Sequence, residues 1–183
     1  MQGSIELIIG PMFCGKSTEL LRRIRKYEIV DKKCICIKYS KDNRYEDVSQ
    51  ESGRQIKTHD KVSYPAIVTS CLHEVMDTVM EYDVIGIDEG QFFGDLDDFC
   101  EVIANKGKVV IIAALDGDFR RRSFGKVCDL IPRAEDVIKL KAMCMNCKQK
   151  EASFTKRLTE SQDLELIGGA ETYKPTCRSC YHK

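Results

Sequence analysis

Eight consecutive residues restrict this chain more than any others: Gly10, Pro11, Met12, Phe13, Cys14, Gly15, Lys16 and Ser17, which read G-x-x-x-x-G-K-S without a mismatch. The apolar run Ser4–Ile9 precedes them, and a charged run with helical periodicity follows over residues 18–30. The motif therefore sits where a strand passes into a helix. Gly10 and Gly15 can take backbone angles closed to other residues, which turns successive N–H groups inward around an anion. The helix start adds its own unpaired N–H groups and the positive end of its dipole. Lys16 would reach the terminal phosphates of a nucleotide, and the Ser17 hydroxyl would be a ligand of Mg²⁺. These residues predict a triphosphate cradle, so the rest of the chain must supply an acceptor, a base and a substrate pocket.

With 183 residues the chain can bury one sizeable core and a small appendage. Lys plus Arg balances Asp plus Glu at 29 each, for a net charge of zero. That balance argues against the electrostatic footprint of a nucleic-acid or membrane binder. No apolar run approaches the roughly 20 residues that span a bilayer, and the start lacks a signal-peptide layout. A cytoplasmic protein is the expectation, and in that setting the ten cysteines read as core thiols and a metal site rather than as disulfides.

Along the chain, Leu20, Leu21, Ile24 and Tyr27 recur at helical spacing, with Arg22, Arg23, Arg25 and Lys26 on the other side as a solvated face or a nucleic-acid contact. Residues 34–37 form the next core strand. Residues 39–60 turn polar and irregular, a length that marks functional or mobile loops. Asp42 and Arg44 follow a strand end, where open α/β sheets bind ligands. Arg44 reads equally as a phosphate contact and as an ion pair with Asp42 or Glu46, and His59 as a solvated residue. A short strand over residues 66–69 and a helical stripe of Leu72, Val75, Met76, Val79 and Met80 come next.

The second chemical stretch is an apolar strand ending in Asp88 and Glu89, followed by Gly90 and Gln91. Asp88 can meet Mg²⁺ opposite Ser17. Side chains alternate at a strand end, so Glu89 should serve a different partner and take a proton from a hydroxyl or water beside the γ-phosphate; an ion pair with Arg44 or Lys16 is its alternative. Leu96, Phe99, Cys100 and Ile103 mark another core-facing helix, and residues 109–115 a strand of the sheet centre. In the loop that follows, Phe119 and Phe124 offer flat faces to a base, while Arg120, Arg121 and Arg122 could reach phosphates or form a solvated lid. Residues 137–143 are expected to complete the core.

Cys144 and Cys147, then Cys177 and Cys180, form two C-x-x-C knuckles that can converge as thiolates on one structural Zn²⁺, a redox role being the alternative. The insert between them exceeds the usual ribbon spacing, so it should carry a job of its own. Within it, Leu164, Glu165, Leu166 and Ile167 alternate like a strand and run into Gly168 and Gly169. This reads as a close backbone approach to a ligand or as a tight hairpin, with Thr155 and Tyr173 flanking.

Together with Lys41-Asp42-Asn43-Arg44-Tyr45, Ala113-Ala114-Leu115-Asp116-Gly117, Thr155-Lys156-Arg157-Leu158 and Ile167-Gly168-Gly169-Ala170, these motifs make the chain resemble, over nearly its whole length, the thymidine kinases of animal cytosol, many bacteria and large DNA viruses. The resemblance implies an α/β fold with a P-loop (RecA-like) parallel sheet flanked by helices over residues 1–142, and a small zinc-ribbon lobe over residues 143–183 that carries a substrate-binding loop. It implies transfer of the γ-phosphate of ATP to the 5′-hydroxyl of thymidine, and of deoxyuridine, with Glu89 as base and Asp88 with Ser17 on Mg²⁺.

By the same resemblance, residues 10–17, Asp42, Asn43, Arg44, Asp88, Glu89, Gly90 and Gln91 line the nucleotide site. Leu164, Glu165, Leu166, Ile167, Gly168 and Tyr173 hold the nucleoside, with Phe119 on the base, Phe124 beside it, and Met12, Leu115 and Thr155 near its methyl group. A homotetramer and feedback inhibition by thymidine triphosphate complete what the resemblance implies. The chain departs from the animal enzymes at Cys14, where they usually carry Ser, in a longer loop before His59, and in lacking their extended regulatory tail. A nucleic-acid-dependent ATPase with a zinc ribbon is the rival reading, disfavoured by the zero net charge.

Overall fold

In the computed structural model, which describes residues 2–41, 55–57, 63–161, 163, 164, 166 and 168–183, the main sheet is assembled from β1 (Ser4–Ile9), β2 (Cys34–Tyr39), β3 (Gln55–Lys57), β4 (Ser63–Thr69), β5 (Val84–Asp88), β6 (Val109–Ala114) and β7 (Asp136–Lys139). Their order is β3-β4-β2-β5-β6-β1-β7. β3 runs antiparallel to β4, and every other neighbouring pair is parallel. The parallel strands follow from near-continuous apolar runs that need cover on both faces.

β6 shows how that cover is divided. Val110, Ile112 and Ala114 pack with Phe99, Cys100 and Ile103 of α3 (Leu96–Asn105), while Val109, Ile111 and Ala113 pack with Leu20, Leu21 and Ile24 of α1 (Lys16–Glu28). Alternation along the strand thus assigns one helix to each face. Because β1, β5 and β6 are adjacent and parallel, their C-terminal ends open on the same edge of the sheet. That edge is where an open α/β sheet binds ligands.

The expectation that residues 137–143 complete the core holds in part: Ile138 and Leu140 pack against the cluster on the α1 side of the sheet, and Ala142 is buried. β7 is nonetheless an edge strand, with Val137 39% exposed. Its outer face is instead tied down by charge: Arg23 of α1 bonds to Glu6 at 2.6 Å, Asp136 at 2.5 Å and Glu19 at 3.0 Å. Arg22 also bonds to Glu19, at 2.5 Å. These two arginines of the basic helix face are therefore committed to carboxylates of the same chain.

Hydrogen bonding from Arg22, opposed by partial burial and reinforced by Arg23, holds the Glu19 carboxyl at about 2 against its ordinary 4.5. A depressed carboxyl stabilises the fold above its unfolded value and loses that contribution as the pH falls through its folded value. The stability difference between the wild type and Glu19→Gln is therefore expected to be full above pH 4.5 and gone near pH 2. Solvent screening keeps it below about 1 kcal/mol; melting temperatures measured against pH check it.

The stripe at residues 72–80 also forms less helix than its period suggests: a 3-10 turn over Leu72–Val75 and a single turn, α2 (Met76–Val79). Asp95 explains the tight start. Its Oδ2 accepts from the Cys71 thiol at 3.2 Å and the His73 amide at 2.9 Å, and lies 2.8 Å from His73 Nδ1. These groups satisfy one another and fix the turn to the beginning of α3. Beyond β7, β8 (Ala142–Met143) pairs with β9 (Glu151–Ala152), and β10 (Phe154–Arg157) with β11 (Tyr173–Thr176). The chain then enters α4 (Arg178–Tyr181).

Candidate active site

The loop after β1 has the geometry its glycines predict. Gly10 has φ 147°, and a Cβ there would stand 2.5 Å from the Leu140 carbonyl oxygen. Gly15 has φ 85° and caps α1 in the left-handed region. The cap makes no side-chain hydrogen bond to the first turn, an arrangement suited to anion binding. Lys16 Nζ donates to the Pro11 carbonyl at 2.8 Å and lies 3.9 Å from Cys14 Sγ. Phe13 stands at the exposed tip with φ 64°. Burial pushes the Cys14 thiol up, with Lys16 pulling it down, so Cys14 is a neutral packing group of the loop.

Across from the helix start, Ser17 Oγ donates to Asp88 Oδ1 at 2.9 Å. Asp88 is 7% exposed. Glu89 then leaves the strand with φ 54°, a left-handed conformation that a non-glycine residue adopts at some expense and that recurs at functional sites. The reversal separates the two carboxylates as expected. Glu89 Oε2 accepts from Gln91 Nε2 at 2.5 Å, and Gln91 Oε1 accepts from the Leu115 amide at 2.9 Å. Gln91 is buried, and because its carbonyl oxygen is engaged by β6's continuation, its NH₂ group faces Glu89.

Glu89 also lines a cleft of roughly 480 Å³, counting its open mouth, a size usual for small-molecule sites. Met12, Leu115, Phe119, Phe124 and Thr155 line it, as do Leu164, Leu166, Gly168 and Tyr173. Every described residue predicted from the sequence to hold the nucleoside is thus brought to one cavity. Met12 N donates to Thr155 Oγ1 at 3.0 Å, which joins the phosphate loop to β10 across the cleft. Phe124 is buried edge-on against Phe92, with centroids 5.6 Å apart. Phe119 instead lies under Arg157 and Arg120, whose guanidinium carbons are 3.7 and 4.9 Å from its centroid.

Asp42, Asn43, Arg44, His59, Glu165 and Ile167 lie outside the described residues. The strand expected over residues 164–167 is not found at Leu164 or Leu166, neither of which is in a strand. The Leu164 carbonyl accepts from Arg157 and the Leu166 carbonyl from Tyr173 Oη, so side chains take the acceptors that a strand ladder would use. Arg121 stacks on the zinc-side lobe, its guanidinium 4.5 Å from the Tyr181 ring, and lines a small cavity with Pro11 of the phosphate loop, while Tyr181 Oη donates to the Phe119 carbonyl at 2.6 Å.

Sequence reading gave Arg157 and Asp118 no role. Asp118 Oδ1 accepts from the amides of Arg120 and Arg122 at 2.8 and 2.9 Å and so shapes the Phe119 loop. Its spacing to those amides is the pattern of an Asx turn, which was available in the sequence.

The sulfurs of Cys144, Cys147, Cys177 and Cys180 lie within 4.8 Å of one another. Burial raises the Cys144 thiol, but amides of Cys147, Cys177 and Asn146 aimed at it bring it down to about 6. Four convergent sulfurs, one already favouring thiolate, fit a tetrahedral Zn²⁺.

A profile of the thymidine kinase family matches residues 3–181. The chain belongs to the thymidine kinase family. The thymidine kinases of vaccinia virus strain Ankara and of monkeypox virus are each 53% identical to it over 179 residues, covering 98% of this chain and 97% of the relative. Among solved structures, the flagellar accessory protein FlaH of Methanocaldococcus jannaschii aligns with a TM-score of 0.50 at 17% identity, over 88% of this chain and 75% of that one, a likeness of fold alone. As a member of the thymidine kinase family the chain is an ATP-dependent phosphotransferase that phosphorylates thymidine. Among the described residues no helix is long and apolar enough to cross a membrane.

Proposed function

We propose that the chain transfers the γ-phosphate of ATP to the 5′-hydroxyl of thymidine, and of deoxyuridine, giving the monophosphate and ADP. The observation that carries this reading is the placement of Glu89 in the nucleoside-sized cleft while its neighbour Asp88 is bonded to Ser17 of the phosphate loop. Residues 10–17 cradle the triphosphate, and Lys16 leaves the Pro11 carbonyl to meet its terminal oxygens. Ser17 and Asp88 would hold Mg²⁺, which supplies charge neutralisation on the β- and γ-oxygens. Glu89, turned out of the strand, accepts the proton of the 5′-hydroxyl.

The nucleoside lies against Phe119, with Met12, Leu115, Thr155 and Phe124 enclosing the base and Leu164, Glu165, Leu166, Ile167, Gly168 and Tyr173 presenting backbone and hydroxyl groups. Asp42, Asn43, Arg44, Gly90 and Gln91 complete the nucleotide side. Residues 1–142 act as the ATP-binding domain. Residues 143–183 act as a lobe held by Zn²⁺ on Cys144, Cys147, Cys177 and Cys180. The working enzyme is a cytoplasmic homotetramer, inhibited by thymidine triphosphate spanning the donor and acceptor sites.

The test supplies ATP labelled in its γ-phosphate with each deoxynucleoside in turn. Label is expected in thymidine and deoxyuridine monophosphates; label in neither, with ATP consumed on addition of DNA, would overturn the reading. The bridge through Gln91 gives a second prediction. In Gln91→Leu the Leu115 amide loses its acceptor and Glu89 its orienting donor, so kcat is expected to fall ~10-fold or more, about 1.4 kcal/mol of barrier. Steady-state kinetics at saturating ATP and thymidine check it.

A further inference from the structure

We infer that Arg157 is the positioning residue of the nucleoside subsite, the side chain that sets the binding loop and the Phe119 ring in one arrangement. The inference rests on the thymidine kinase reading of the cleft. Arg157 ends β10 directly opposite Tyr173 of β11, and residues 158–172 connect the two strands. From that root its guanidinium reaches the loop at several points. Nη1 donates to the carbonyls of Ser161, at 3.1 Å, and of Asp163. Nη2 donates to the Leu164 carbonyl at 3.2 Å and to Tyr173 Oη at 2.6 Å. Tyr173 Oη in turn donates a hydrogen bond to the Leu166 carbonyl at 2.7 Å. One side chain, with one hydroxyl relay, thus governs four carbonyls of the segment that presents Leu164 and Leu166 to the cleft.

The same guanidinium has its carbon 3.7 Å from the centroid of Phe119, which belongs to the loop after β6. It therefore couples the substrate loop to the ring proposed to meet the base, two parts of the chain about forty residues apart in sequence. A planar fork with a flat face can do both at once, and an ammonium cannot.

A purely structural tie would not need this chemistry. Arg157 is 8% exposed, no carboxylate pairs with it among the described residues, and its Nε is buried without a hydrogen-bond partner. Burying a cation against neutral acceptors alone is costly, and the unpaired donor sits on a residue that lines the cleft. The arrangement is one in which stability is given up for a fixed binding geometry.

The experiment compares wild type, Arg157→Met and Arg157→Lys for thymidine KM, ATP KM, kcat and zinc content. In Arg157→Met thymidine KM is expected to rise at least about tenfold, the equivalent of 1.4 kcal/mol, with ATP KM unchanged, one Zn²⁺ retained per chain and kcat at saturation within about threefold of wild type. Arg157→Lys keeps the charge without the fork, so its KM should lie between the two. In ¹⁵N-labelled wild type the Arg157 Nε–H signal should shift on addition of thymidine, a response that a merely structural arginine would not give. A thymidine KM in Arg157→Met equal to that of wild type, or parallel loss of zinc and ATP binding, overturns the inference. Wild type that phosphorylates no nucleoside would instead overturn the functional reading on which it rests.

Discussion

Replacing Glu89 with glutamine is expected to slow phosphoryl transfer to thymidine by ~10²- to 10⁴-fold, the usual worth of a positioned general base, while ATP affinity changes little. The substitution keeps the size of the side chain and its capacity to hydrogen-bond, and removes only its basicity. ATP affinity survives because the phosphate loop is built by β1 and α1, with Gly10 and Gly15 setting its backbone, and the Ser17–Asp88 bond does not pass through Glu89. The effect belongs on the chemical step, because Glu89 lines the cleft and is held from behind by Gln91. Rapid-quench single-turnover measurement reads that step directly, and an unchanged rate would remove Glu89 from the role.

Cys177→Ser is expected to abolish zinc binding and thymidine affinity together. Cys177 is buried, caps α4, and follows directly on β11, the strand that carries Tyr173 and pairs with Thr155 and Arg157. Structural Zn²⁺ contributes on the order of 10–16 kcal/mol of apparent folding free energy in small modules, as much as the whole net stability of a typical domain. The small sheets around the four cysteines have little core of their own, with Ala142, Ala152 and three cysteines as their buried cluster. Loss of the metal should therefore release the β10–β11 pair, and with it the Met12–Thr155 bond that closes the cleft. ATP binding should persist in part, since the parallel sheet has separate clusters on both faces. Metal analysis and calorimetry with each ligand check this; intact thymidine binding by the zinc-free variant would refute the lobe's part in the pocket.

What could be read in the sequence was local. The G-x-x-x-x-G-K-S loop, the acidic pair at the end of an apolar strand and the paired C-x-x-C knuckles are each legible from spacing along the chain, and the structure puts Gly15 at the start of α1, Asp88 against Ser17 and the four sulfurs together. The misplaced elements depend on tertiary competition. Of residues 137–143, Ile138 and Leu140 pack on the core as expected, yet β7 stands last in the sheet order, with Val137 39% exposed and Asp136 bonded to Arg23. Leu164 and Leu166 alternate like a strand, but Arg157 and Tyr173 capture their carbonyls.

Gln91 and Arg157 were unreadable as positioning groups for the same reason. Their partners, Leu115 and Phe119, come from the end of another strand and the loop beyond it, and no periodicity or motif spacing encodes such a meeting. Asp42, Asn43 and Arg44 lie outside the described residues.

The central claim is that a nucleoside lies between the phosphate loop and the zinc-bearing lobe with its sugar alcohol on Glu89. A crystal structure with thymidine and a non-hydrolysable ATP analogue tests it most directly. The account predicts the 5′-oxygen within about 2.6–3.2 Å of a Glu89 carboxylate oxygen, the reach a general base requires, with the thymine ring against Phe119. Thymidine bound elsewhere, or Glu89 turned away from the 5′-oxygen while another group contacts it, would contradict the account.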